Sequence, residues 1–383
     1  MSETGARPAL WSAGFSGMLG LTLLGFANLA GFYGLEPWLR GRGLGPAQAG
    51  LAIGAFTLVA LLLIPPLSAR LVPASAGRCI VAGFGVTLIA LPLYMLADGF
   101  PQLLALRLWH GLGFVLTLVG IVTGFVAMVP PARAGEAYSL FSVADLLPFA
   151  LLPPILEATL DGFGGDPGGQ YAALAMLQAP AMLLALLIAR RIPIAAPAGV
   201  APGLPRQAAV WLLLAVNTLA FLAHALLFSL LKPRALELDG AAQVGLFFGV
   251  QTATIMALRL LAGSAFDRLD QRRAAAAGLA LVVLALALLA LPSGAGVLLP
   301  AALLSGLGFG AALPLLNALM HRHSPPERRG ANLSLMMLTL QLGYLAGPLL
   351  GGLVVGVAGY GAAFGVAALC LAPALPALRR LPR

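Results

Sequence analysis

Residues 47–57 read AQAGLAIGAFT, and residues 242–252 read AQVGLFFGVQT. Gly50 matches Gly245, Gly54 matches Gly249 and Thr57 matches Thr252, at an offset of 245 − 50 = 195. The same offset carries Gly111-Leu112-Gly113-Phe114 onto Gly306-Leu307-Gly308-Phe309, since 306 − 111 = 195. It also carries Pro130-Pro131-Ala132-Arg133-Ala134-Gly135 onto Pro325-Pro326-Glu327-Arg328-Arg329-Gly330, since 325 − 130 = 195. One gapless offset across this much sequence is hard to reach by chance, even among apolar chains. The chain therefore reads as two tandem copies of one unit.

Composition says what the unit is made of. Hydrophobic residues make up 60% of the chain and charged residues 9%, with a mean hydropathy of +0.98. A soluble surface needs about a quarter of its residues charged, so most of this surface faces lipid. Charges and Pro/Gly breaks separate apolar segments at 11–35, 47–69, 78–97, 102–129, 136–160, 170–191, 208–231, 241–264, 274–292, 295–319, 330–356 and 359–378. Each is long enough to cross about 30 Å of hydrocarbon. The first, from Trp11, is too long for a cleaved signal segment and is expected to remain as a helix. Six spans per copy leave the two copies facing the same way, the parallel arrangement in which substrate sits between two rocking halves. A duplicated scaffold without a transport role is the alternative. The expected fold is an all-α membrane protein of 12 transmembrane helices in two six-helix parallel repeats. The expected divisions are an N-terminal bundle (1–191), a linker (192–207) and a C-terminal bundle (208–383). Proline and glycine are too dense in 192–207 for a helix to continue.

Orientation follows from the basic residues. With the N-terminus in the cytoplasm, sixteen arginines fall on the inside, whereas Arg40, Arg42, Lys232 and Arg234 fall outside. That bias places both termini in the cytoplasm. It also accounts for the net charge of +9 without a nucleic-acid partner, because no basic stripe with interleaved aromatics exists. Arginine outnumbers lysine 21 to 1, Lys232 being the only lysine, a composition typical of GC-rich bacteria and hence of a multi-pass protein of the bacterial inner membrane. Cys79 and Cys370 form neither a metal spacing nor a disulfide framework. No metal, cofactor or obligate protein partner is expected. No clustered nucleophile, metal set or nucleotide-binding loop suggests an enzyme.

Over nearly its whole length the chain resembles transporters of the major facilitator superfamily. The loop after span 8, Gly263-Ser264-Ala265-Phe266-Asp267-Arg268-Leu269-Asp270-Gln271-Arg272-Arg273, is similar to that superfamily's loop G-x-x-x-D-R-x-G-x-R-R, with Asp270 where the pattern has its second Gly. The resemblance implies that Gly263, Asp267, Arg268, Arg272 and Arg273 interlock helix ends on the cytoplasmic side. In the loop after span 2, Val72 and Pro73 occupy the Asp and Arg positions. Span 4 carries Arg107-Leu108-Trp109-His110-Gly111-Leu112-Gly113, similar to the R-x-x-Q-G-x-G pattern of proton-coupled members, with His110 for Gln. Span 11 carries Gly343, Gly347, Pro348, Gly351 and Gly352, which resemble the antiporter motif and are read as a helix-packing motif. The drug:proton antiporters are the nearest broad branch. Arg133-Ala134-Gly135-Glu136-Ala137-Tyr138-Ser139-Leu140-Phe141-Ser142 and the stretch from Gln243 to Arg259 are similar to exporters of opine-type metallophores such as staphylopine.

Ionisable groups within spans cost about 2.5–3.5 kcal/mol on insertion scales and are functional candidates by default. Asp145 in span 5 lies about 14 Å from the cytoplasmic end, and Arg259 in span 8 about 8–12 Å from it, at about 1.5 Å per residue. The family resemblance makes spans 5 and 8 face each other, so the pair is either a gate between halves or a fixed salt bridge. Arg107 and Glu36 are expected near the outer ends of spans 4 and 1, where they either pair or leave Glu36 solvated. Glu157 is expected as a solvated interfacial carboxylate. His110 and His224 are either packing residues or proton and substrate contacts. Cavity-lining candidates are Asn28, Tyr33, Asn217, His224, Gln251, Asn317, Gln341 and Tyr344. The function expected from all of this is proton-coupled efflux of a small organic molecule. The partners would be substrate, protons and the bilayer, and a proton-coupled importer is the alternative.

Overall fold

The computed structural model describes residues 10–70, 73–130, 133–192, 204–266 and 269–382, with backbone only at 68–70, 73–74, 134–135 and 262–266. Asp267 and Arg268 of the expected cytoplasmic loop, and most of the expected linker, lie outside the described residues.

The described chain is helical and contains no strand. In order it forms α1 (Ala13–Ala30), α2 (Leu35–Gly41), α3 (Pro46–Arg70), α4 (Pro73–Leu93), α5 (Gly99–Met128), α6 (Ala134–Thr159), α7 (Pro167–Ala173) and α8 (Ala175–Ala189). It continues with α9 (Ala208–Glu237), α10 (Val244–Phe266), α11 (Gln271–Ala290), α12 (Leu298–His323), α13 (Arg329–Leu371) and α14 (Ala374–Arg379). Among the described residues, 11 helices are long and apolar enough to cross a membrane. They are apolar all round rather than on one face, as lipid-embedded helices are. Internal prolines at Pro65, Pro66, Pro153, Pro154, Pro314 and Pro348 do not end their helices, because neighbouring helices can satisfy the freed backbone groups. The 43-residue α13 contains one break, at Gly359 with φ 82° and ψ 175°, a left-handed backbone that glycine adopts without steric penalty. Its two arms correspond to the expected spans 11 and 12.

Hydrophobic packing gathers residues 210–381 into one large core, with Tyr33 and Leu156 from earlier in the chain buried in it and Leu146 and Leu152 packed against it. Residues 10–192 form three smaller cores. Close glycine contacts recur at the repeat spacing. A Cβ on Gly111 would overlap the Phe56 carbonyl oxygen, and one on Gly306 would sit 2.7 Å from that of Gln251, with 251 − 56 = 195. Likewise Gly113 faces the Gly83 carbonyl, and Gly308 faces that of Gly278, with 278 − 83 = 195.

The span 11 glycines line one face of α13. A Cβ on Gly343 would meet Leu222 N at 2.7 Å, and one on Gly347 would meet Leu222 O at 2.6 Å. Gly351 faces Leu230, so all three press against α9. Gly352 instead faces Pro46 and Gly50 of α3.

Burial along α3 and α10 is one-ended. Ala52, Gly54, Ala55, Phe56 and Thr57 are buried whereas Leu62, Pro65 and Pro66 are exposed, and Val244 to Thr252 are mostly buried whereas Leu260 and Leu261 are exposed. These helices are packed where they begin and freer where they end.

Gly263 lies in the last turn of α10. Asp270, the departure from the loop pattern, has φ −67° and caps α11, accepting from Arg272 N and Arg273 N. A glycine is not needed at that φ. Its carboxylate also pairs with Arg272 at 3.0 Å and Arg273 at 3.6 Å, and Arg272 donates to Leu381 O at 2.6 Å. The Arg272 hydrogen bond is the main cause that holds the Asp270 carboxyl down at about 2. The depressed value means that the capping contribution is present above the ordinary aspartate pKa of about 3.9 and fades as pH falls towards 2. Asp270→Asn is expected to flatten the melting temperature of the detergent-solubilised protein across that window. An unchanged acid limb would count against the cap.

Candidate functional site

Polar groups run through the middle of the bundle in three layers. The first lies where α2 packs, at the end expected to face outward. Lys232 Nζ of α9 pairs with Glu157 Oε1 of α6 at 2.8 Å. Tyr33 donates to the same oxygen at 2.7 Å, and its ring lies 5.2 Å from the Lys232 ammonium. Glu157 is thus a paired carboxylate and not the solvated one expected. Tyr360 of α13 donates to Glu36 Oε1 at 2.8 Å. Glu36 is only 2% exposed, and its Oε2 is buried without a partner. Both expectations for Glu36 are therefore corrected, since it neither pairs with Arg107 nor faces solvent. At the same end α3 and α13 touch backbone to backbone, through Gly50 against Pro348 and Gly352 against Pro46.

The second layer is a closed network within residues 28–110. Arg107 of α5 donates to Ala52 O at 3.3 Å, Ile53 O at 3.4 Å and the Tyr94 hydroxyl at 3.2 Å. Tyr94 bonds to His110 Nδ1 at 3.0 Å, and His110 Nε2 bonds to Asn28 Oδ1 at 3.0 Å. Both ring nitrogens of His110 are used and the residue is fully buried. That arrangement favours the packing reading of His110 over proton carriage.

The third layer is nearer the chain termini. Arg259 of α10 donates from Nη1 to Ser142 Oγ of α6 at 2.9 Å. Its Nε is buried without a partner, as is Oδ1 of Asp145 one turn along α6. Among the described residues no ion pair within 4.0 Å joins Asp145 to Arg259, although the two charges are near enough to act on each other. Tyr344 and His224 Nδ1 hydrogen-bond at 3.0 Å beside them, with Tyr344 within reach of the Asp145 charge and His224 of the Arg259 charge. The family resemblance places Asp145 and Arg259 on facing helices, but no pattern in the sequence marks Ser142 as the partner of Arg259.

The remaining cavity candidates divide. Asn217 donates to Met336 O and Thr339 Oγ1 at 3.0 and 2.9 Å, and Gln251 donates to Ser305 Oγ at 2.8 Å. Both are interhelical ties. Gln341 is buried and Asn317 exposed, with no hydrogen bond to either among the described residues. Between the first and third layers lies a small cavity of about 40 Å³, walled by Glu36, Phe56, Arg107, Phe149, Phe228 and Tyr344 among others. It has room for a few waters and none for an organic substrate in this conformation.

Residues 213–383 match the family model described as Major Facilitator Superfamily. No curated protein sequence gives a significant match to the chain. Among solved structures, a bacterial homolog of the human lysosomal transporter Spinster, in an inward-facing and unoccupied conformation, superposes with a TM-score of 0.75. It is 14% identical, covering 98% of this chain and 97% of that one. The nucleoside transporter NupG gives 0.74 at 15% identity, over 96% and 100% of the two chains. A variant of the peptide transporter POT gives 0.75 at 14% identity, over 99% and 95%. The C-terminal part of the chain thus matches the Major Facilitator Superfamily model, and over its whole length the chain shares the all-helical, multi-span fold of these solved transporters.

Proposed function

We propose that the chain exports a small organic molecule, a drug-like compound or an opine-type metallophore, in exchange for protons. Export proceeds by alternating access between a six-helix half at 1–191 and another at 208–383, in a bacterial inner membrane with both termini cytoplasmic. The observation that carries this reading is Asp145 opposite Arg259, half-buried charges on α6 and α10 with one buried, orphaned atom on each. A fixed salt bridge would close to direct contact, because leaving buried charges unpaired is costly. Groups held near each other but apart suit a site that exchanges partners during a cycle.

Three further features support the reading. Contacts repeated at a spacing of 195 residues favour two equivalent halves. The Glu157–Lys232 and Glu36–Tyr360 bonds join those halves at one end, while burial along α3 and α10 falls towards the other. With the arginine bias taken to define the cytoplasmic side, these contacts support reading this conformation as closed outward. Finally, the two stretches that resemble metallophore exporters meet at the Ser142–Arg259 bond.

The test is flux in proteoliposomes under an imposed pH gradient, with a cationic dye and an opine-type metallophore as candidate cargo. Proton-driven efflux is expected from the wild type. Asp145→Asn is expected to lose net proton-driven flux while keeping gradient-independent exchange. Coupling unchanged in that variant would remove Asp145 from the mechanism, and inward flux driven by the same gradient would replace export by import.

A further inference from the structure

Arg107 is a buried guanidinium, 4% exposed, and every acceptor it meets is neutral. Its three hydrogen bonds run from 3.2 to 3.4 Å, longer than the about 2.7–2.9 Å usual when a guanidinium meets a carboxylate. Among the described residues no carboxylate lies within 4.0 Å of it. The guanidinium carbon sits 4.5 Å from the Phe56 ring centroid and 5.3 Å from that of Phe32. Packing does not require the charge. The position 195 residues on is Ala302, fully buried, and there the neutral Gln251–Ser305 bond joins α10 to α12. Arg107 also forms part of the wall of the central cavity, to which both halves contribute.

We infer that Arg107, flanked by Phe32 and Phe56, is a subsite for an anionic group of the transported molecule, of the carboxylate class. A planar fork held between aromatic rings is matched to a planar two-oxygen anion better than to a spherical one. The subsite is reached when the cavity that Arg107 lines widens during the cycle. The inference rests on the transporter reading but not on proton coupling, since binding is measured without a gradient.

The test uses one scaffold in four charge states: phenylalanine, N-acetylphenylalanine, phenylalaninamide and N-acetylphenylalaninamide. Binding of each to the purified full-length protein in nanodiscs is read by ligand-induced thermal shift and titration. Both carboxylates are expected to bind about tenfold or more tighter than the matching amides, as hydrogen bonds to a charged partner allow. Arg107→Gln is expected to reduce that ratio to about twofold or less, and Arg107→Lys to leave it intermediate. A merely structural arginine would lower the melting temperature in both variants and leave the ratio where it was. Should the Gln variant not fold, the Lys variant alone decides, because an unchanged ratio there overturns the subsite. Equal binding of carboxylates and amides, no binding of either carboxylate, or collapse of the ratio in Arg259→Gln but not in the Arg107 variants also overturns it. Loss of proton-driven flux with the ratio intact would instead defeat the coupling reading and leave this one standing.

Discussion

Gly50→Leu is expected to cut transport about 100-fold while the protein still folds and inserts. A Cβ on Gly50 would collide with the Pro348 carbonyl oxygen and lie 3.2 Å from the Gly352 Cα, and Gly352 meets Pro46 and Gly50 in the same way. The obstacle on each side is backbone, which cannot rotate aside as a side chain can. Forcing extra atoms into a packed contact costs about 1–3 kcal/mol in ordinary cores, and about 2.8 kcal/mol is a 100-fold change in an equilibrium. The strain falls only on conformations in which α3 and α13 meet at this end. The substitution therefore penalises the closed-outward state and spares the other. In a variant with Cys79 and Cys370 replaced by alanine, a cysteine at the buried cavity position Ser229 should become reactive to a membrane-impermeant thiol reagent once Gly50→Leu is added. Normal flux together with an unreactive cysteine would show that this crossing is not part of the cycle.

These close crossings mark what sequence could and could not reveal. The spans are legible because lipid demands long apolar helices, and the repeat because equivalent contacts constrain equivalent residues such as Gly111 and Gly306. Depth is also legible, since it follows from counting along a helix, and it placed Asp145 and Arg259 at similar heights. Azimuth is not. Arg107 and Glu36 both lie towards the outer end, yet Arg107 turns to the carbonyls of Ala52 and Ile53 while Glu36 turns to Tyr360, 324 residues away. Helices that are apolar on every side have no moment from which a facing direction could be read. Asp270 illustrates a different limit. It reads as a departure from a family pattern, and only the backbone angle shows that it serves as a helix cap.

The second large effect concerns Lys232, the only lysine in the chain. Its bond to Glu157 joins α9 to α6 across the middle of the protein, with the two side chains 14% and 23% exposed. A pair at that depth stands between exposed ion pairs, worth about 0–1 kcal/mol, and fully buried ones, whose disruption costs about 3–5 kcal/mol. Glu157→Lys sets two ammonium groups against each other and deprives Tyr33 of its acceptor. The closed-outward population should fall by roughly 10- to 100-fold, for about 1.4–2.8 kcal/mol. Glu157→Gln, which keeps a hydrogen-bond acceptor, should do less. Because one lysine carries the whole side-chain amine signal, a membrane-impermeant amine reagent reports the state directly in the wild type and in Glu157→Gln. Labelling of Lys232 should be slow in the former and faster in the latter, with mass spectrometry separating it from the N-terminal amine. The charge-exchanged double variant, Glu157→Lys with Lys232→Glu, should recover flux relative to Glu157→Lys alone. If the exchange recovers nothing and Lys232 labels equally fast in wild type and Glu157→Gln, the bond between the halves does not hold this end shut.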